Sequence, residues 1–175
     1  MNALAQQPNG KLFVGYQGWF NPHRKEDGAR WVHYGHRGEF KPGSVTVEMW
    51  PDVSELDADE RVPTDFRLKD GSVAHVFDPQ NAKTVARHFG WMKQYGIDGA
   101  FLQRFVNPAA HPKLRPELDR VMANVRAASK THAVGWALMY DLTDVQAGDV
   151  FAKVSQDWKR LAGEEKIRSD PHYLR

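Results

Sequence analysis

Gly96-Ile97-Asp98-Gly99-Ala100-Phe101-Leu102-Gln103-Arg104-Phe105 is the stretch on which the fold turns. Gly96 comes just past an amphipathic pattern, where a helix C-cap belongs. The apolar run Ala100, Phe101, Leu102 then gives way abruptly to Gln103 and Arg104. That order reads as a fully buried parallel strand whose polar residues emerge at its carboxyl end. Ligands bind at that end in α/β folds, so this strand delivers Gln103 and Arg104 to a site. The plainer alternative is that Arg104 pairs with a surface carboxylate.

Working outward, Asp78 is a candidate N-cap with Pro79 at the first helical position. Ala82, Val85, Ala86, Phe89 and Met92 follow at helical spacing. Downstream, Leu118, Val121, Met122 and Val125 form a second stripe, and Val150, Phe151, Val154, Trp158 and Leu161 a third. Ala133 to Tyr140 is an apolar strand run with Asp141 at its carboxyl end. Upstream, Leu12-Phe13-Val14 opens a first strand. Ser44 to Trp50, with Val45 and Val47 alternating against Thr46 and Glu48, reads as another, stopped by Pro51. Phe66 to Phe77, centred on Asp70-Gly71, reads as a small hairpin. The expected parallel strands therefore lie near 12–17, 45–50, 98–104 and 134–140, with helices near 80–95, 116–130 and 147–162.

Strands alternating with helices of this length make βαβ units and an α/β class. Two architectures satisfy the pattern: a small open sheet, or the amino-terminal half of a (β/α)8 TIM-type barrel. The length of 175 residues favours the open sheet, because a barrel usually needs roughly 250. Ser169 to Arg175, reading SDPHYLR after a helix, resembles the approach to a further strand and favours the half-barrel.

Composition narrows the function. Twenty-four basic against 22 acidic side chains leave +2, too little to argue for nucleic acid or an anionic membrane. The basic residues are scattered, with no run longer than Arg24-Lys25. Cysteine is absent, which removes disulfides, thiolate metal sites and a thiol nucleophile. No apolar stretch approaches bilayer length. Met1 to Gly10 shows no charged-then-apolar leader, so as written the chain reads as cytoplasmic; a segment preceding Met1 would make it secreted or periplasmic. Length and composition suit one domain over residues 1–175.

The residues expected at strand ends are Tyr16, Gln17, Trp19, Glu48, Trp50, Asp52, Gln103, Arg104 and Asp141. Aromatic faces beside hydrogen-bonding groups suit a sugar, whose C–H-rich face stacks on indole while its hydroxyls need fixed partners. For Trp19 and Trp50 the alternative is core packing beneath the long loop Asn21 to Gly43. Glu48 and Asp52 either contact substrate or pair with Arg104 or Arg30. Asp141 is the best catalytic candidate, against a plain turn with Thr143. The run Ser54 to Glu60 reads as a solvated acidic loop. His33, His36 and nearby His23 lack the helical spacing of a catalytic zinc motif, and Gly35 argues against a helix there, so no metal site is expected. Gly15 and Gly18 do not form a dinucleotide fingerprint, no serine sits in a nucleophile elbow, and no cofactor is expected.

Four blocks in order, VGYQGWF (14–20), RWVHYG (30–35), VEMWPDVSEL (47–56) and HFGWMKQYGIDGAFLQRF (88–105), resemble the amino-terminal half of the glycoside hydrolase family 71/99-like proteins, some of them labelled xylosidase or arabinosidase. The resemblance implies a carboxyl-truncated (β/α)8 barrel acting on carbohydrate. In that group the DPxYLR segment leads into a further strand. The paired carboxylates of glycoside hydrolysis lie on late strands in family 99, so the resemblance puts their counterparts beyond residue 175. A second hypothesis is a non-catalytic carbohydrate-binding or interaction half-barrel that docks with a partner chain. A third is an unrelated open-sheet domain with an aromatic pocket. A half-barrel leaves sheet edges open, so self-association is expected.

Overall fold

The computed structural model describes residues 10–22 and 30–174. His23 and all but the last residue of the Met1 to Gly10 segment lie outside the described residues. In chain order the elements are β1 Phe13–Tyr16, β2 Arg61–Arg67, β3 Val73–Phe77, α1 Ala82–Gln94, β4 Gly99–Phe105, α2 Val106–Ala110, α3 Arg115–His132, β5 Gly135–Asp141 and α4 Val150–Gly163. Short 3-10 turns stand at Ala147–Asp149 and Ile167–Ser169. The described residues divide into two compact units: one from the chain up to Gly18 and from Ala86 onward, the other Trp19–Val85.

The first unit is α/β. Its sheet has the order β1-β4-β5, every pair parallel. Alternation sorts its side chains. Val14 and Tyr16 stand level with Ala100 and Leu102. Those two in turn stand level with Trp136 and Leu138, and Arg104 with Tyr140. This face packs on helices: the Tyr16 ring meets Phe89 of α1 edge-on at 5.7 Å, and Val121, Met122 and Val125 of α3 are buried. Gly18 lies so close to Val121 that a Cβ there would overlap its methyl group. The other face carries Phe13, Phe101, Gln103, Phe105, Ala137, Met139 and Asp141.

Helix ends follow the caps. Gly96 adopts φ +76°, and the Ile97 N–H donates back to Met92 O at 2.8 Å. This is the Schellman closure that the glycine leads one to expect. At the other end the cap is Asn81, whose Oδ1 accepts the Lys83 N–H at 3.0 Å. Asp78 instead closes a turn onto the Gln80 N–H at 2.8 Å, so the helix starts later than the Asp-Pro pair suggests. After the 3-10 turn at Ile167–Ser169 the chain rejoins the sheet. Trp136 N–H donates to His172 O at 3.0 Å and Leu174 N–H to Trp136 O at 2.8 Å, a parallel bridge beside β5. Residues 172–174 thus lie along β5 through this isolated bridge and form no further named strand.

The second unit holds β2 and β3 as an antiparallel hairpin. The turn sits where Asp70-Gly71 places it, but the first strand begins at Arg61 rather than near Phe66. Tyr34, Phe40 and Val76 are buried together, with Phe20, Trp31, Val47, Trp50, Val62 and Phe66 packed against them. Aromatic packing thus holds residues 30–40 of the loop, aided by the Tyr34 hydroxyl donating to Phe77 O at 2.7 Å.

Four expectations are corrected. Residues 45–50 form no strand, and β1 pairs directly with β4. The Thr46 N–H donates to Tyr34 O at 3.0 Å and its hydroxyl to His33 O at 2.6 Å. Thr46 is thus bonded to the neighbouring loop and not to a strand. Second, β4 is not buried on both faces, since Phe101 is 38% exposed. Third, Phe151 is 83% exposed, because it opens the first turn of α4 rather than joining the inner stripe. Fourth, Glu60 in the acidic run is only 1% exposed; its carboxylate accepts from the Asp57 N–H at 3.0 Å and the Thr84 hydroxyl at 3.2 Å.

Candidate functional site

At the carboxyl ends of β4 and β5, Gln103 and Asp141 meet on the face away from the helices, the Gln103 side-chain amide donating to Asp141 Oδ2. The register explains the meeting. Gln103 stands level with Met139 and Phe105 with Asp141, so the two polar residues are diagonal neighbours on one face. The other Asp141 oxygen accepts the Thr143 N–H at 2.8 Å. Hydrogen bonds from Thr143, with a smaller one from Gln103, hold the Asp141 carboxyl below its ordinary range despite some desolvation. Asp141 is therefore ionised at neutral pH. It suits accepting a hydroxyl proton, attacking carbon or stabilising positive charge, and does not suit the general-acid role, which needs a raised pKa.

Arg104, one residue along, faces the opposite way and is 2% exposed. Its guanidinium grips Asp157 of α4 through Nε–Oδ2 at 2.7 Å and Nη2–Oδ1 at 3.0 Å, and reaches Asp119 of α3 at 2.8 Å. The Tyr140 hydroxyl donates to Asp157 Oδ2 at 2.9 Å. Arg160 Nη2 reaches Asp119 at 2.8 Å and Asp157 at 3.2 Å. Burial alone would raise the Asp157 carboxyl; the hydrogen bonds and charge of Arg104, with Tyr140 and Arg160, outweigh it and hold the group below its ordinary value. Arg104 thus sits between sheet and helices, paired with buried or half-buried carboxylates rather than surface ones. The strand continues to Phe105, and parity with Leu102 turns Arg104 inward. Period-2 counting from Leu102 could have found this; Asp119 and Asp157 carry no local sign of their role.

Tyr16 shares that inward face. Its hydroxyl lies 2.9 Å from His88 Nδ1, and burial pushes its ionisation far up. Gln17 is exposed just past β1.

In the second unit, Trp50 is part of the aromatic core. Its ring stacks on Phe40 at 5.6 Å and 15°, and its indole N–H donates to His75 O at 2.8 Å. Trp19 is half-buried with its ring 5.3 Å from His33. Glu48 and Asp52 are exposed, and Asp52 accepts the Ser54 N–H at 2.8 Å. Among the described residues the ligand-type side chains that come together are Asp57, Asp59 and Glu60, not His33 and His36. Lys83 Nζ pairs with that group, at 2.7 Å from Asp57 and 2.9 Å from Asp59, and offsets one of its three charges. No helix among the described residues is long and apolar enough to cross a membrane.

No family model matches the chain, and no curated protein does. Among solved structures, the GH99 endo-alpha-mannosidase from Bacteroides thetaiotaomicron matches with a TM-score of 0.53 at 10% identity, over 93% of this chain and 42% of that one. At that identity the likeness speaks for fold alone. The fold is α/β, a partial TIM barrel built on the parallel β1-β4-β5 sheet. The chain spans less than half the length of the enzyme it matches.

Proposed function

We propose that the chain is the amino-terminal part of a glycoside hydrolase barrel, one domain over residues 1–175, acting on oligo- or polysaccharide. The observation that supports this most is the Gln103–Asp141 pair at the carboxyl ends of adjacent parallel strands, where barrel enzymes place their chemistry. In this reading Gln103 and Asp141 bind sugar hydroxyls, joined by exposed Gln17 at the same end of β1. Tyr16 and Arg104 hold the strands from behind. In the other unit, Trp19, Glu48 and Asp52 are proposed as further sugar contacts. The xylosidase or arabinosidase label and the endo-alpha-mannosidase likeness define the substrates to try: xylo-, arabino- and manno-oligosaccharides.

A second reading is a non-catalytic, carbohydrate-binding half-barrel that docks with a partner. Phe101 and Met139, each 38% exposed on the open sheet face, favour it, since such a face gains by being covered. Hydrolysis assays of the chain on the three oligosaccharide classes decide between the readings. Turnover abolished by Asp141→Asn supports the enzyme. Saturable binding without turnover supports the binding module. Neither binding nor turnover contradicts both.

A further inference from the structure

Asp141 has one partner on each side. Gln103 on β4 donates its side-chain amide to Oδ2, and Thr143, in the turn after β5, donates its N–H to Oδ1 at 2.8 Å. The strand ladder fixes the backbone of Gln103. Thr143 lies beyond the ladder and is exposed, so the direction of its N–H depends on how the turn itself is held. Thr143 is also the main influence keeping the Asp141 carboxyl below its ordinary range.

The turn closes on itself once, the Val145 N–H donating to Leu142 O at 3.0 Å. It passes through Asp144 at φ +61°, a left-handed conformation that Asp tolerates but does not prefer. The outside hold comes from α2. Asn107 Nδ2 donates to Asp144 O at 2.8 Å, while Asn107 Oδ1 accepts from Lys153 Nζ of α4 at 3.0 Å. The Lys153 ammonium is itself held by Asp149 at 3.1 Å. These neighbours settle which way the amide points: an ammonium only donates and a carbonyl only accepts, so oxygen faces Lys153 and nitrogen faces Asp144. Because α2 follows β4 without a break, Asn107 links the end of the strand that carries Gln103 to the turn that carries Thr143.

We propose that Asn107 is a positioning residue for the Gln103–Asp141 site: by tying Asp144 to α2 it sets the turn that presents the Thr143 N–H to Asp141, and with it the aim of the carboxylate. Its consequence for sugar affinity rests on the sugar-binding reading above; its consequence for the Thr143–Asp141 bond does not.

The test follows the Thr143 amide proton by NMR as pH is lowered through the Asp141 titration. An N–H bonded to a carboxylate shifts as that carboxylate is protonated, so the pH-dependent shift reports the bond itself. Asn107→Ala and the near-isosteric Asn107→Leu cannot donate to Asp144 O, and each should lose most of that shift, with circular dichroism checking that the fold is kept. Val125→Ala removes buried contacts of α3 in the same unit. It should lower the unfolding midpoint yet leave the Thr143 response intact, which separates positioning from stability. Toward whichever of the xylo-, arabino- or manno-oligosaccharides the parent binds, both Asn107 variants should bind about fivefold more weakly, the scale of one hydrogen bond. An undiminished Thr143 response in either folded Asn107 variant overturns the proposal. So does a lost response with sugar affinity unchanged, since Asp141 is then aimed without the turn. If the parent binds no sugar, the sugar reading fails alone, and the ligand-free NMR response still decides the role of Asn107.

Discussion

Arg104 on β4 and Asp157 on α4 are locked in a two-point ion pair, Nε–Oδ2 at 2.7 Å and Nη2–Oδ1 at 3.0 Å, with both side chains buried. Breaking one partner of such a pair leaves an uncompensated buried charge, which costs about 3–5 kcal/mol. Arg104→Met should destabilise the chain on that scale in urea denaturation. Replacing both partners, as Arg104→Met with Asp157→Leu, should recover much of the loss, since the remaining apolar contacts carry no desolvation cost. A loss well under 1 kcal/mol in the single variant would show that the pair is solvated.

The same pair predicts a pH dependence. Asp157 has a folded-state pKa held below its ordinary carboxylate value, while in the unfolded chain it titrates near 4. Its contribution is therefore fully present above about pH 4 and is lost as pH falls through the lower folded value. Melting curves of the parent chain and of Asp157→Asn should differ most above that point and converge below it. A gap that stays constant down to pH 2.5 would contradict the assignment.

Gly35 sits where a Cβ would overlap the backbone carbonyl oxygens of Glu39 and Ser44. Backbone cannot swing aside as a side-chain tip can, so overpacking costs of about 1–3 kcal/mol apply. Gly35→Ala should lower the unfolding midpoint, whereas Gly148→Ala, with open space around it, should not. Equal midpoints for the two would contradict the packing described for this loop.

How much of this was legible in the sequence varied with the kind of signal. Strands β4 and β5, the helices behind them and the Gly96 cap were legible because period and cap chemistry are local. The 45–50 segment misled because alternation of Val45 and Val47 with Thr46 and Glu48 looks the same whether or not a neighbouring strand exists to pair with. Its partners turned out to be His33 and Tyr34. The Gln103–Asp141 pair was half legible: each residue was placed at a strand end, but their contact depends on the register between strands. Arg104 was singled out for the right strand and the wrong face, and its partners Asp119 and Asp157 lie on helices whose packing no local pattern reports.

Among the described residues the β1 strand pairs with β4 on one side only, and Phe101 and Met139 are exposed on the sheet face away from the helices. Unpaired edges and open apolar faces recruit other chains, so the chain is expected to self-associate with rising concentration. Sedimentation velocity should show this, and Met139→Lys should reduce it. A concentration-independent monomer would count against the open face being free to associate.

The paired polar groups at the ends of β4 and β5 are proposed to hold a sugar. Calorimetric titration of the chain with the oligosaccharide classes proposed above, comparing parent, Gln103→Ala and Asp141→Ala, tests it most directly. Saturable binding of at least one class is expected, weakened in each variant about tenfold, or about 1.4 kcal/mol, with melting temperatures unchanged. Binding that is undiminished in both folded variants, or absent for every class, would contradict it.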